Sequence, residues 1–493
     1  MKTRSRFELW GERPVSQSVN HISGLDRHQV LLLPETIEDY VSAENPVRFL
    51  DAFVNSLDLH ALEFAKVTTA ATGRPPYAPA DLLRLYLYGY LHRVRSSRAL
   101  ERECHRNVEL IWLMGKLAPD FKTIADFRKD NRKGIKAVHR QFLVLCQKLE
   151  LFGGELVAID GSKLAGVNAR SANFNKQKLQ ELLAYADSRL AEYLQQLDQN
   201  DAAEASETKL TRAQLEEKIA ALKERKEWHE ELLAQLKESS DKQISTTDEE
   251  ARRMHTAQGS VVGYNVQTAV DAKHKLIVAA DVTNEGTDVR QLANLSVQAR
   301  DNLGAAKLEV VADKGYFNNH EVSACVDKNI TPYVAKADTS ANTARGLYGK
   351  SQFTYDAQKD VYRCPAGKEL TYRFNTYELD RELRYYRTSD CKTCVLKRQC
   401  TRNKGNRTIT REENEGLMEA MALRVQAHPQ KMQLRKQLVE HPFGTIKRWF
   451  GYTYFLLKGL DKVRCEWSLM TLAYNFKRAL KLVSLEKLMA AVS

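Results

Sequence analysis

Cysteine is scarce in this chain: eight residues in 493. That is far too few for a disulfide scaffold and makes the reducing cytoplasm the expected compartment. No stretch approaches the roughly 20 consecutive apolar residues of a membrane span. The first residues, MKTRSRFELWGERP, contain no apolar segment of the secretory type. No Walker A loop, no G-x-G-x-x-G turn and no protease-type nucleophile elbow occurs, so nucleotide-driven and serine-nucleophile chemistries lack their motifs. What is there is an ordinary globular composition, 43% apolar and 28% charged. The length fits about three domains. Lys and Arg number 75 against 63 Asp and Glu, a net charge of +12. A basic excess of this size favours a polyanionic partner, nucleic acid first among them.

The hydrophobic pattern divides the chain. Residues 1–70 look mixed, with a short helix around Pro46–Leu59, and further short helices follow to about residue 150. Asn45 and Pro46 open one, Gly73-Arg74-Pro75-Pro76 is a turn, and Pro79-Ala80-Asp81 starts another that carries LLRLYLYGYLHRV. Arg93, Arg95, Arg98, Arg102 and Arg106 follow on a helical stretch. Thr123 is the expected cap of the next helix, which bears Arg128, Lys129, Arg132 and Lys133. These basic helices read as a DNA-binding domain or as a plain bundle with a solvated basic face. GELVAID (154–160) is a predicted strand ending on an acid, with Gly161 expected to let the chain turn. From Leu179 to Leu197 apolar residues recur every three or four positions, a polar stretch follows over 198–211, and the spacing resumes at Leu215, which predicts an antiparallel helical hairpin or coiled coil. VVGYNVQTAVD and KLIVAADVTN form a predicted β-hairpin. LEVVAD (308–313) and ITPYVAK (330–336) are further strands, residues 340–430 look polar and irregular, and helix returns from Met432.

Asp160 and Asp313 each close a predicted strand, and Glu440 lies in RKQLVEHPFGTIKRWF. Three carboxylates from separate segments suit a pair of Mg²⁺ ions, which take hard oxygen ligands and clamp the attacking and leaving oxygens of a phosphodiester. On spacing alone, however, two loop caps and a solvated helix residue are the simpler reading.

The motifs change that. RPPYAPADLLRLYLYGYLHRVRSSRALERECHRNVELIWLMG, VAIDGSKL, GYNVQTAVD, VVADKGYFN and VEHPFGTIKRWFG occur in this order. Together they resemble the DDE transposases of bacterial insertion sequences, most closely the group numbered eleven-eighty-two. The resemblance implies an α/β fold with an RNase H-like mixed-sheet catalytic core. An N-terminal helical DNA-binding domain (1–150) would precede the first part of that core (151–173). A helical-hairpin insertion (174–250) would follow, then core (251–339), a cysteine-bearing insertion (340–430) and a C-terminal helical part of the core (431–493). It implies Asp160, Asp313 and Glu440 as ligands for Mg²⁺ or Mn²⁺. It also implies cleavage and strand transfer at terminal inverted repeats, with target DNA and a second protomer as partners in the synapse. The expected location is the bacterial cytoplasm, on the nucleoid, with no membrane contact. The family's Glu motif, Tyr-x2-Arg-x3-Glu-x6-Lys, is met in part. Glu440-x6-Lys447 fits, whereas Lys436 (next to Arg435) stands at the arginine position and Gln433 at the tyrosine position. Lys447, Arg448 and Arg435 are the DNA-contact candidates, with Lys447 on the face of Glu440 if the helix runs on. Trp449 suits base stacking or core packing. The rival reading is an inactive or repurposed DNA-binding protein on the same fold.

Cys364, Cys391, Cys394 and Cys400 are spaced C-x26-C-x2-C-x5-C among basic residues. The Cys391/Cys394 pair is a chelating half-site, and four thiolates satisfy tetrahedral Zn²⁺. Free thiols in a loop-rich insertion are the alternative.

Overall fold

A computed structural model describes residues 36–68, 75–202, 210–239, 241–256, 258–336, 342–378 and 381–493. The turn expected at Gly73-Arg74 lies outside them. Six helices come first: α1 (Val47–Asn55), α2 (Pro79–Leu91), α3 (Ser97–Cys104), α4 (Val108–Leu113), α5 (Phe121–Asp130) and α6 (Arg132–Lys148). The Asn45 side chain accepts from the Val47 backbone N–H at 2.9 Å, as an opening cap should. Thr123 does not cap α5. Asp120 does, its Oδ1 accepting from Lys122 and Thr123 N–H at 3.0 and 2.9 Å.

The central sheet is built from β1 (Leu156–Ala165), β4 (Arg252–Thr256), β5 (Gly259–Asp271), β6 (Ile277–Thr283), β7 (Leu308–Ala312) and β8 (Ile330–Val334). A short pair, β2 (Asn173–Asn175) and β3 (Gln243–Ser245), stands apart from it. The main path runs β4-β5-β1-β7-β8, with β6 also on β5. β5 is antiparallel to β1 and β6, and β7 runs parallel to β1 and β8. Two connections carry helices: α9 (Leu292–Leu303) leads into β7, and α10 (Asn319–Asp327) links β7 to β8.

Alternation along β1 sorts its side chains by face. Val157 and Ile159 join the core under α9 and α10. Ala158 and Leu164 join the larger core shared with the N-terminal helices. That second core also receives α13 (Pro429–Gly444), a π-helical turn over Thr445–Trp449, and α14 (Leu460–Leu482); α15 (Leu485–Val492) closes the chain. The N-terminal helices are therefore continuous with the sheet's core. Phe476 of α14 stands 4.8 Å from Phe49 and 5.1 Å from Phe142, ring centre to ring centre. All three rings are buried.

The expected helical hairpin is α7 (Lys176–Ala202) and α8 (Arg212–Glu238). Lys226 on one bonds Asp187 on the other at 2.6 Å, and β2 and β3 clamp the open end. Residues 340–430 are not irregular. They hold a five-stranded antiparallel sheet of β9 (Thr354–Asp356), β10 (Val361–Arg363), β11 (Glu369–Glu378), β12 (Arg381–Arg387) and β13 (Thr408–Glu412). The one-turn helix α11 (Lys397–Cys400) precedes β13, and α12 (Glu415–Ala427) packs on β8. No described helix is long and apolar enough to cross a membrane.

Candidate active site

β1 does not end at Asp160. It runs on to Ala165, and Asp160 pairs in mid-strand with Thr268. Gly161 makes no turn. A side chain there would put its Cβ 2.4 Å from the Gln267 amide and 2.8 Å from an Asp288 oxygen. The glycine is there because the opposite face is full. Asp160 and Ser162 share the face of Ala158, which α13 covers.

Asp313 follows β7, which is hydrogen-bonded in parallel to β1. Its carboxylate accepts from the Gly315 backbone N–H at 2.8 Å, which fixes the turn that follows. Tyr316 of this turn donates its hydroxyl to the buried Gln267.

Burial pushes the Asp160 carboxyl up to about 6; Arg435 and the Gly161 N–H oppose this, and the charges of Asp313 and Asp288 add to it. Arg435 Nη1 lies 3.5 Å from Asp160 Oδ2 and makes no hydrogen bond. Lys447 donates to Ser162 Oγ, two residues beyond Asp160 on the same strand face. Burial and the neighbouring Lys163 lower its ammonium, and Asp160 opposes them. Asp160, Asp313, Arg435 and Lys447 therefore gather at one place.

Glu440 does not join them. It is exposed and opens on a separate cavity of about 440 Å³, with Arg448, Trp449, Lys477, Arg478 and Lys481 around it. Pro442 does not stop α13, but the π-helical turn after Gly444 winds the chain more loosely. Lys447 consequently faces Ser162 while Glu440 faces solvent, so the shared face expected for the two is not formed. Among the described residues, no three carboxylate, imidazole or thiol groups are closed into a metal-holding set. His441 turns to Tyr474, 2.9 Å from Nδ1 to the hydroxyl.

The separate cavity is rich in cations. Trp449 is 57% exposed, with the Lys477 ammonium 4.5 Å and the Arg93 guanidinium 5.4 Å from its ring centre. The core-packing reading of Trp449 is thus set aside. Arg448 belongs to this cavity, away from Asp160.

Asp288 was invisible in the sequence. It accepts from Lys163 at 3.1 Å, Asn265 at 2.7 Å and Gln267 at 2.8 Å. It thereby ties β1 to β5 beneath Gly161. It carries no motif, and its partners lie on two distant strands.

Residues 35–130 match the family model of a transposase domain (DUF772), and residues 363–480 match that of a transposase DDE domain. The second match contains Arg435, Glu440 and Lys447, whereas Asp160 and Asp313 lie outside both. No curated protein and no solved structure matches the chain significantly. The two matched models, a transposase domain near the start of the chain and a transposase DDE domain toward its end, support an insertion-sequence DDE transposase. Neither match names the eleven-eighty-two group.

Proposed function

We propose that this protein cuts DNA at the terminal inverted repeats of its insertion sequence and joins the freed ends to target DNA in a metal-dependent reaction. The observation that carries the reading is the placement of Asp160 and Asp313 at adjacent parallel strands, under the helix that supplies Arg435. A sheet ordered β6-β5-β1-β7-β8, with β5 alone antiparallel to its neighbours on both sides, is what an RNase H-like core would give. The helical hairpin and the five-stranded sheet would then be its two insertions.

The donor set fits a divalent cation. Both acids offer hard oxygens, and the half-buried Asp160 is short of positive charge, with only a 3.5 Å ion contact to Arg435. Asp160 and Asp313 would hold Mg²⁺ or Mn²⁺, with Glu440 drawn in from α13 when DNA binds. Bound metal supplies an activated water and neutralises charge on the reacting phosphate. Lys447, fixed on Ser162 beside the acids, positions a DNA phosphate. Arg448, Trp449 and Lys477 grip the flanking duplex. Two ends must meet for joining, so a homodimer forms in the synapse.

The exposed Glu440 is the observation that favours a second reading, a DNA-binding protein that no longer cuts. The test uses labelled DNA bearing the flanking inverted repeats, with and without Mg²⁺, for wild type and Asp160→Asn. Cutting at the repeat tips that requires metal and is lost in the variant supports the transposition chemistry. Tight, salt-sensitive binding with no cutting under Mg²⁺ or Mn²⁺ overturns it.

A further inference from the structure

The four cysteines spaced through the five-stranded sheet come together. Cys364 follows β10 at the head of a tight turn into β11. Its N–H donates to the Lys368 carbonyl at 2.9 Å, and the Gly367 N–H donates back to the Cys364 carbonyl at 2.8 Å. Gly367 has φ +75°, a left-handed conformation that glycine accepts without a steric penalty. Cys391 lies within a 3-10 turn, Asp390–Thr393, Cys394 caps its end, and Cys400 ends α11. All four are free thiols, each partly buried.

They line one cavity of about 20 Å³. That is room for about one water-sized body. The thiols are not yet closed around a common point. A bound ion would contract a cluster that the fold has already gathered.

The surroundings suit thiolates. The Arg407 backbone N–H donates to Cys391 Sγ at 3.4 Å. The Arg407 and Lys397 side chains border the same cavity. Four thiolates on a dication leave two excess negative charges, and such N–H donors and cations offset them.

The sheet also needs a staple. Its own core consists of five buried side chains, Phe353, Tyr362, Leu370, Tyr386 and Ile409, with Cys364 and Cys400 packed at its edge. A core this small is marginal by itself.

We propose that Cys364, Cys391, Cys394 and Cys400 bind one structural Zn²⁺ that fastens the turn after β10 to the segment before β13. Binding releases the thiol protons to solvent. With four protein ligands the ion has no open position, so it takes no part in DNA cleavage.

The test is the metal content of the full-length protein, purified under reducing conditions. One zinc per chain is expected, released in step with blocking of four thiols by an organomercurial. Cobalt substituted for it gives the absorption of a tetrahedral thiolate site. Asp160→Asn keeps the zinc, whereas Cys391→Ser/Cys394→Ser loses it. Sub-stoichiometric zinc that does not rise when the metal is added overturns the proposal. So does mass spectrometry that finds these cysteines in disulfides. The wild-type arms do not depend on the double variant folding. Zinc content is read without DNA, so a failure here is distinct from a failure to transpose.

Discussion

Arg435 reaches Asp160 across the gap between α13 and β1, with Nη1 3.5 Å from Oδ2 and no hydrogen bond of its own. The helix that carries the Glu440 motif is thus already electrostatically coupled to the first acid. The coupling passes through Arg435, five residues before Glu440.

Asp160→Asn is expected to abolish cleavage while leaving binding to the repeat ends intact, as read by gel shift and cleavage on the same DNA. It should also stabilise the metal-free protein at neutral pH. The folded state holds the Asp160 proton up to about 6, against an ordinary 3.8. Between those values the folded chain binds more protons than the unfolded one, so its stability falls as pH rises through that window. The neutral asparagine removes this cost of about 1–3 kcal/mol at pH 7. The Tm gain over wild type should vanish below pH 4. A variant with no gain at pH 7 would show that the half-buried carboxyl is not strained.

Glu440→Gln tests whether Glu440 joins Asp160 and Asp313 when DNA binds. If DNA draws Glu440 to the acids, cleavage falls to background with end binding unchanged. If Glu440 remains in the cationic cavity, the variant cuts like wild type and binds DNA more tightly, because a negative charge has left a phosphate-facing surface.

Much of this arrangement could be read from the chain. The Val-rich runs LEVVAD and VVGYNVQTAVD located β7 and β5, and the apolar spacing within Leu179–Leu236 located the helical hairpin. The failures have physical causes. Asp160 reads as a strand end because polar residues follow it, yet β1 continues with Ser162 and Lys163 satisfied by Lys447 and Asp288. The five-stranded sheet escaped notice because β9 and β10 are three residues long and β11 is exposed at most positions on both faces. Such strands show no alternation to detect. The faces of Glu440 and Lys447 depend on one π-helical turn, which sequence periodicity does not report.

Gly161→Ala tests the crowding beneath the acid. The added methyl would meet Gln267 and Asp288 inside normal contact distance, and Gln267 is fully buried. A destabilisation of about 1–3 kcal/mol is expected from overpacking, measured as a lower urea midpoint. An unchanged midpoint would mean that the Gln267–Asp288 contact yields freely.

Lys477→Ala tests the cavity around Trp449. Loss of one phosphate contact should weaken binding to all DNA sequences alike and make the slope of log affinity against log salt shallower by about 0.9. Trp449→Ala should weaken binding with the salt slope preserved. Identical slopes for wild type and Lys477→Ala would remove this cavity from the DNA path.

Arg95 and Glu466 form a buried ion pair between the N-terminal helical region and α14. Arg95 Nη1 lies 3.3 Å from Glu466 Oε1 in the interior and donates to the Tyr454 carbonyl at 2.8 Å. Glu466 also accepts from the Leu456 and Leu457 backbone N–H groups at 3.0–3.1 Å. Burial raises the Glu466 carboxyl, and Arg128 and Arg95 oppose it. Arg95→Ala removes one of those cations and leaves the carboxylate buried. A loss of about 3–5 kcal/mol is expected at pH 8. The loss should shrink toward pH 5, because the folded variant then takes up a proton on Glu466 and the uncompensated charge disappears. Glu466→Gln keeps acceptors for Leu456 and Leu457 and should cost less, with little pH dependence. Denaturation midpoints of the three proteins across this range measure the difference. A loss in Arg95→Ala that is the same at both ends of the range would show that Arg95 acts through its packing on Tyr452 and Tyr454 and not through its charge.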